Sequence, residues 1–134
     1  MPASIGSVKT LTDLSISGNH ISRKLHDLIS LTSLEVLDMR DNELDSETPA
    51  MPKSLVTILL GKNTLSGEIP WQFGELRRLQ HLDLSFNLLE GTPPAALFSL
   101  PNTSYLNLES NMLSVFLPSR ITSFCGCFYQ QTWW

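Results

Sequence analysis

The stretch Leu79 to Leu89 reads L-Q-H-L-D-L-S-F-N-L-L, with leucines at 79, 82, 84 and 89 and an asparagine at 87. The same spacing recurs four more times. Leu11, Leu14, Ile16, Asn19 and Ile21 form one copy, and Leu34, Leu37, Met39, Asn42 and Leu44 form another. Leu55, Ile58, Leu60, Asn63 and Leu65 form a third. The last places Thr103 in the first slot, followed by Leu106, Leu108, Asn111 and Leu113. At ordinary composition a random window matches the pattern with a probability on the order of 10⁻⁴, so a chain of this size should hold roughly 0.01 copies. Chance does not produce this series.

The pattern L-x-x-L-x-L-x-x-N-x-L is the leucine-rich repeat signature. The asparagine intervals of 23, 21, 24 and 24 residues lie within its range. The predicted class is an α/β solenoid, a right-handed plant-type leucine-rich repeat of about five units. Short parallel strands line the concave face, and a few short helices or 3-10 turns line the convex face. After Asn63 comes L-S-G-E-I-P (Leu65 to Pro70) and after Asn87 comes L-E-G-T-P-P (Leu89 to Pro94). This L-x-G-x-I-P frame marks the plant-type class. Gly permits unusual backbone after the turn, and Pro ends the segment by removing a donor. Helical or irregular pieces are expected at Trp71 to Leu79 and Ala95 to Leu100. The two prolines in Thr48 to Ser54 predict an extended crossing in the third unit.

In each unit the two L-x-L leucines point inward and the alternate residues point out. The outward residues form three concave rows. Asp13, Val36, Thr57, His81 and Tyr105 make the first. Ser15, Asp38, Leu59, Asp83 and Asn107 make the second, and Ser17, Arg40, Gly61, Ser85 and Glu109 the third. A concave-face ligand would meet these residues, with His81 and Asp83 near Asp38 and Tyr105 as a polar patch. Exposed slots of such strands are commonly polar without a ligand. Asn19, Asn42, Asn63, Asn87 and Asn111 are expected to form a structural ladder, satisfying backbone groups of the turn and of the next repeat.

At 134 residues the chain has the length of one domain. A net charge of −4 argues against a nucleic-acid surface. Apolar runs such as Ile58 to Leu60 are far below the roughly 20 residues of a membrane span, so no direct membrane insertion is expected of this chain. Met1 to Ser7 lacks the basic and apolar regions of a secretory signal. Residues 1–118 read as the repeat region, lacking terminal caps, so that Ile5, Val8, Leu11, Leu14 and Ile16 should stand half exposed. Solenoid ends need caps with a polar outer face. Residues 119–134 fit no repeat frame. They read as translated non-coding sequence after a truncation, or as an aromatic tail covering the last repeat.

The chemistry-bearing motifs are few. There is no phosphate-binding glycine loop and no kinase signature. The chain is not expected to be an enzyme, and no cofactor is implied. A triad through Ser85, His81 and Asp83 would need a strained nucleophile elbow and an oxyanion hole, neither of which is suggested. Cys125 and Cys127 do not make a disulfide framework. His20, His26 and His81 sit repeats away from them, so no metal site is expected. Asn102-Thr103-Ser104 is an N-glycosylation sequon on a loop before the fifth strand. Trp71 and Phe73 should pack under the convex loop, and Arg77 and Arg78 should form a solvated face.

Beyond the repeat class, the segment Leu11 to Leu113 resembles the ectodomain of a plant leucine-rich-repeat receptor-like kinase. It is most similar to the group described as probable inactive receptor-like kinases. Lys9 to Ser22, Leu31 to Glu47, Met51 to Leu60, Ser66 to Asn87 and Gly91 to Ser114 carry the resemblance. It implies a parent at the plasma membrane, with an extracellular repeat array, one membrane helix and a cytoplasmic kinase-like domain with degraded motifs. This chain carries the repeats alone. The implied partner is a peptide or protein ligand, with a co-receptor ectodomain as a further candidate. A truncated product without independent function is the alternative reading, as is a short secreted inhibitor or scaffold.

Overall fold

The computed structural model describes residues 3–22, 25 and 28–114, with side chains from residue 5 onward. The 119–134 tail, its two cysteines and His26 lie outside the described residues. In chain order the strands are β1 (Asp13–Ser15), β2 (Val36–Asp38), β3 (Thr57–Leu59), β4 (Ser66–Glu68), β5 (His81–Asp83), β6 (Leu88–Gly91), β7 (Tyr105–Asn107) and β8 (Met112–Leu113). One parallel sheet runs β1-β2-β3-β5-β7, in the order the L-x-L frames occur. Its register aligns Asp13, Val36, Thr57, His81 and Tyr105, and next to them Ser15, Asp38, Leu59, Asp83 and Asn107. These are the expected first and second concave rows.

The inward leucines build the core. Leu37, Ile58 and Leu82 are fully buried on the strands, as are Met39, Leu60 and Leu84 just after them. Each such residue contributes about 1.5–3 kcal/mol relative to exposure. Thr103, the one polar residue in a first slot, is accommodated because its Oγ1 donates to Leu79 O at 3.0 Å. At the N-terminal end Ile5, Leu11 and Ile16 are partly buried and Val8 is exposed, as expected, but Leu14 is buried. It sits on β1 in register with the buried Leu37 of β2 and joins the core there.

The convex face carries the short 3-10 turns that the sequence predicts. The described residues contain no α-helix. The convex pieces are 3-10 helices, Trp71–Glu75 and Ala95–Ser99, with a third at Ala3–Ser7. A 3-10 turn rises about 2.0 Å per residue against 1.5 Å, so five residues cover more of the convex crossing. Residues 48–52 form neither helix nor strand, in keeping with their prolines. One feature departs from the sequence reading, another parallel sheet, β4-β6-β8, made largely by the L-x-G-x-I-P segments. Gly67 (φ +75°) and Gly91 (φ +72°) are required there twice over. The left-handed backbone disfavours a side chain. In addition, a Cβ at Gly91 would stand 2.8 Å from Glu68 Cγ, and one at Gly67 3.0 Å from Glu47 Cγ.

The asparagines make the expected ladder, but toward the preceding repeat. Asn63 Nδ2 donates to Met39 O of the repeat before it at 3.0 Å and to Leu60 O of its own at 3.1 Å. Its Oδ1 accepts the N–H of Leu44, also of the repeat before, at 3.1 Å. Asn42, Asn87 and Asn111 repeat this geometry with Ile16 O, Leu60 O and Leu84 O behind them. The direction follows from the strands. Backbone N–H groups such as that of Met39 donate forward, to Leu59 O of the next repeat. The carbonyl beyond each strand end also faces forward but finds no main-chain donor, and the next asparagine supplies one. Asn19 is exposed, and among the described residues its amide bonds within its own turn, to Ile16 O and Ser17 O.

The residue before each asparagine carries the sharp bend. Gly18, Asp41, Lys62, Phe86 and Ser110 all have φ between 52° and 68°. The four without glycine accept a cost of roughly 1–2 kcal/mol each for left-handed backbone. The bend aims their N–H groups forward, as in Lys62 N to Ser85 O at 2.8 Å.

Two stability predictions follow from these contacts. Asn63→Ala strips a buried donor and a buried acceptor of partners. It should lower the unfolding free energy by about 3–5 kcal/mol, whereas Asn19→Ala should cost under about 1 kcal/mol; urea titration of both variants measures the contrast. Thr48 occupies the frame position of the buried Ile69 and Pro93, and its own buried Oγ1 has no hydrogen-bond partner. Thr48→Val keeps the shape and removes the orphaned hydroxyl, so it should raise stability by about 1–2 kcal/mol in the same assay.

Candidate functional site

The concave sheet presents all fifteen expected residues along one surface, but not on equal terms. Asp13, Ser15, Ser17, Arg40 and His81 are exposed. Val36, Thr57, Leu59, Asp83, Tyr105 and Glu109 are half-buried. Asp38, Asn107, Ser85 and Gly61 are buried.

Three polar members of the second row have a structural task. Asp38 Oδ1 accepts the backbone N–H of Arg40 at 3.2 Å, and Asp83 Oδ1 accepts that of Ser85 at 3.0 Å. Asn107 Oδ1 accepts that of Glu109 at 3.1 Å. Each short polar side chain thus closes a local turn two residues on, the known habit of Asp and Asn. Ser85 Oγ also donates to Asp83 Oδ1, at 2.6 Å, so its hydroxyl is directed to the carboxylate and not to an imidazole. The signal is present in the sequence as D-M-R, D-L-S and N-L-E, where a polar second-row residue closes the strand two positions before the residue whose N–H it accepts. Gly61 leaves room for this arrangement; a Cβ there would come 3.1 Å from both Asp83 Oδ1 and Ser85 Oγ.

Arg40 and Asp38 form the strongest electrostatic feature of the surface. Arg40 Nε donates to Asp38 Oδ1 at 2.9 Å and Nη2 to Oδ2 at 2.7 Å, a two-pronged contact. That hydrogen-bonded guanidinium holds the Asp38 carboxyl below its usual value of 3.8, against the opposing effect of burial. Asp83 and Asp41 lie close enough to add to the field that keeps Arg40 charged. Across the intervening β3, on the first row, the His81 and Tyr105 rings lie with centroids 6.2 Å apart and planes tilted by 31°. Tyr105 Oη accepts from Asn107 Nδ2 at 3.3 Å, which ties the ring to the second row. Together His81, Tyr105, Asp83, Arg40 and Glu109 offer an aromatic platform with charged groups on its flank.

The other expectations are placed as follows. Phe73 is fully buried, but Trp71 stands 65% exposed, contrary to the packed staple expected for both. Both lie on the 3-10 helix Trp71–Glu75. At three residues per turn, positions two apart point to different faces, so only one of the two rings faces the core. Arg77 and Arg78 are exposed as expected, and Arg78 Nη2 pairs with Glu35 Oε1 at 2.9 Å. A convex hollow of about 370 Å³, lined by Ile29, Met51 and Leu76 among others, opens where the third repeat lacks a helical turn. It is remote from the concave chemistry. Among the described residues no group of three or more His, Cys, Asp or Glu is disposed to hold a metal ion, and no helix is long and apolar enough to cross a membrane.

The Asp38–Arg40 pair has a pH signature. Asp38 has a lowered value in the folded chain, so its contribution is in place above the unfolded value and is lost as pH falls through the folded one. Asp38→Asn should therefore cost about 1 kcal/mol near neutrality, a modest sum because Arg40 is half in water. The gap to the parent chain should narrow as urea titrations are carried below pH 3.8.

Comparison with known proteins agrees with the geometry. Leucine rich repeat family models match residues 33–55 and 52–113, together more than half of the chain. Receptor-like protein 35 of Arabidopsis thaliana is 32% identical over 119 residues, which cover 85% of this chain and 12% of that protein. The plant peptide hormone receptor RGFR1, solved in complex with RGF2, superposes with a TM-score of 0.86 at 36% identity, over 88% of this chain and 20% of that one. The Arabidopsis receptor kinase HAESA, solved with the peptide hormone IDA and the co-receptor SERK1, gives 0.81 at 37% identity, over 85% and 20% respectively. The chain thus spans a small fraction of the length of these relatives. It belongs to the leucine-rich repeat proteins, and its repeats are similar to those of plant receptor ectodomains.

Proposed function

We propose that this chain is a non-enzymatic binding module from the extracellular part of a plant membrane receptor, and that it holds an extended peptide or protein segment against its concave sheet. The observation that carries the reading is the aromatic and charged patch of His81, Tyr105, Asp83, Arg40 and Glu109, raised on a sheet whose strands are fixed in register. Two solved relatives with high structural similarity are receptors bound to peptide hormones, and one of them also engages a co-receptor. That supports a peptide ligand here, with a co-receptor ectodomain as a second partner. The finer assignment is a parent with one membrane helix and a kinase-like domain of degraded catalytic motifs; it rests on the sequence resemblance.

The charge balance suggests the ligand's chemistry. The concave rows hold Asp13, Asp38, Asp83 and Glu109 against Arg40 alone, and Arg40 already neutralises Asp38. A ligand bearing Lys or Arg would meet unpaired carboxylates beside aromatic rings, where cations are favoured.

A randomised peptide array probed with the chain tests this. Bound peptides should be enriched in Lys and Arg, and His81→Ala with Tyr105→Ala should weaken them by about tenfold, a loss of about 1.4 kcal/mol. Trp71→Ala, on the convex side, should leave them unchanged. Equal retention by the concave and convex variants would remove the concave face from consideration.

A further inference from the structure

We propose that Asn102 is an N-glycosylation site whose sugar shields the dibasic pair Arg77-Arg78; the proposal rests on the extracellular reading, because the sugar donor is met in the secretory lumen. Among seven asparagines, Asn102 alone has a hydroxyl residue two positions on, namely Ser104. The others are followed there by Ile21, Leu44, Leu65, Leu89, Glu109 and Leu113. The intervening residue, Thr103, is not proline, so the acceptor motif is complete.

The geometry supplies what the motif cannot. Asn102 is exposed on a turn ahead of β7, away from the concave rows. Ser104 is exposed as well, its Oγ 3.3 Å from Gln80 O. By contrast, four of the five ladder asparagines have their amides fixed into the preceding repeat. The Asn102 amide carries two N–H bonds. One is directed to Arg77 O at 2.7 Å.

In the transfer, Nδ2 attacks C1 of a lipid-linked oligosaccharide diphosphate. The N–C1 bond forms, the C1–O bond to the diphosphate breaks, the lipid diphosphate leaves and Nδ2 releases one proton. The modified amide keeps one N–H, enough for the bond to Arg77 O. That bond sets the sugar's root on the carbonyl of Arg77. Arg77 and Arg78 are both exposed, and the peptide bonds after them are the ones a trypsin-like protease would cut.

The full chain is expressed behind a cleavable secretion leader in insect cells, and the retained and secreted pools are analysed together. The expected product carries one N-glycan that peptide-N-glycosidase removes, leaving Asp at 102 in the peptide mass spectrum. Asn102→Gln and Ser104→Ala should lack the glycan, and Ser104→Thr should keep it. Unmodified Asn102 throughout the pooled product would overturn the site. A second arm trims the glycan to its first sugar with an endoglycosidase, which leaves the amide intact. Limited trypsin digestion at Arg77 and Arg78 should then speed up several-fold; an unchanged rate would overturn the shielding. Neither arm depends on ligand binding, so failure here is distinct from failure of the concave-face reading.

Discussion

Everything in this solenoid depends on one asparagine side chain bridging two carbonyls in consecutive repeats. Met39 O accepts from both Asn42 and Asn63, Leu60 O from Asn63 and Asn87, and Leu84 O from Asn87 and Asn111. The strands are only three residues long because a left-handed residue turns the chain away soon after each of them. That turn would strand a buried carbonyl in every repeat, at about 1–3 kcal/mol apiece. The amide removes the cost and closes the turn at once. With the turns closed, the leucine rows can stack, and the outer rows acquire fixed spacing.

The fixed spacing separates scaffold from recognition on the concave face itself. Asp38, Asp83 and Asn107 look like recognition residues by type and position, yet each gives one oxygen to the backbone two residues on. They hold the strand ends. What remains open to a partner is the first row, with its His81–Tyr105 platform, the second oxygen of the half-buried Asp83, and the flanking Arg40 and Glu109. The two tasks are linked, since Arg40 is oriented by the very carboxylate that closes its turn. A ligand that reads Arg40 therefore reads a guanidinium already fixed in direction, with less freedom left to lose.

The repeat frame, the strand positions and the concave rows were legible because inward leucines and a single polar turn residue leave a periodic record. The second sheet was not, because L-S-G-E and L-E-G-T carry no alternation of apolar and polar residues; only their glycines hint at the backbone. The ladder's direction was hidden too. Whether Asn63 bonds backward or forward depends on which way the strand's last carbonyl faces, and sequence does not record that. Trp71 was misplaced for a related reason. Trp71 and Phe73 are both large and aromatic, and which of them faces the core depends on how the short 3-10 helix is set against the core, which residue type does not record. The 119–134 segment, its cysteines and His26 lie outside the described residues.

The hydrogen bonds between strands of the concave sheet, and those by which Asn42, Asn63, Asn87 and Asn111 reach the repeat behind, run along the axis of the array. A pulling force applied to the two ends of the array therefore meets them one repeat at a time, in series. It does not shear many at once, as it would in a sheet loaded along its strands. Such a body yields as a zipper does, at low force and one tooth after another. The ladder that makes each turn stiff against local unfolding thus leaves the whole array compliant along its length, like a spring whose coils are individually rigid.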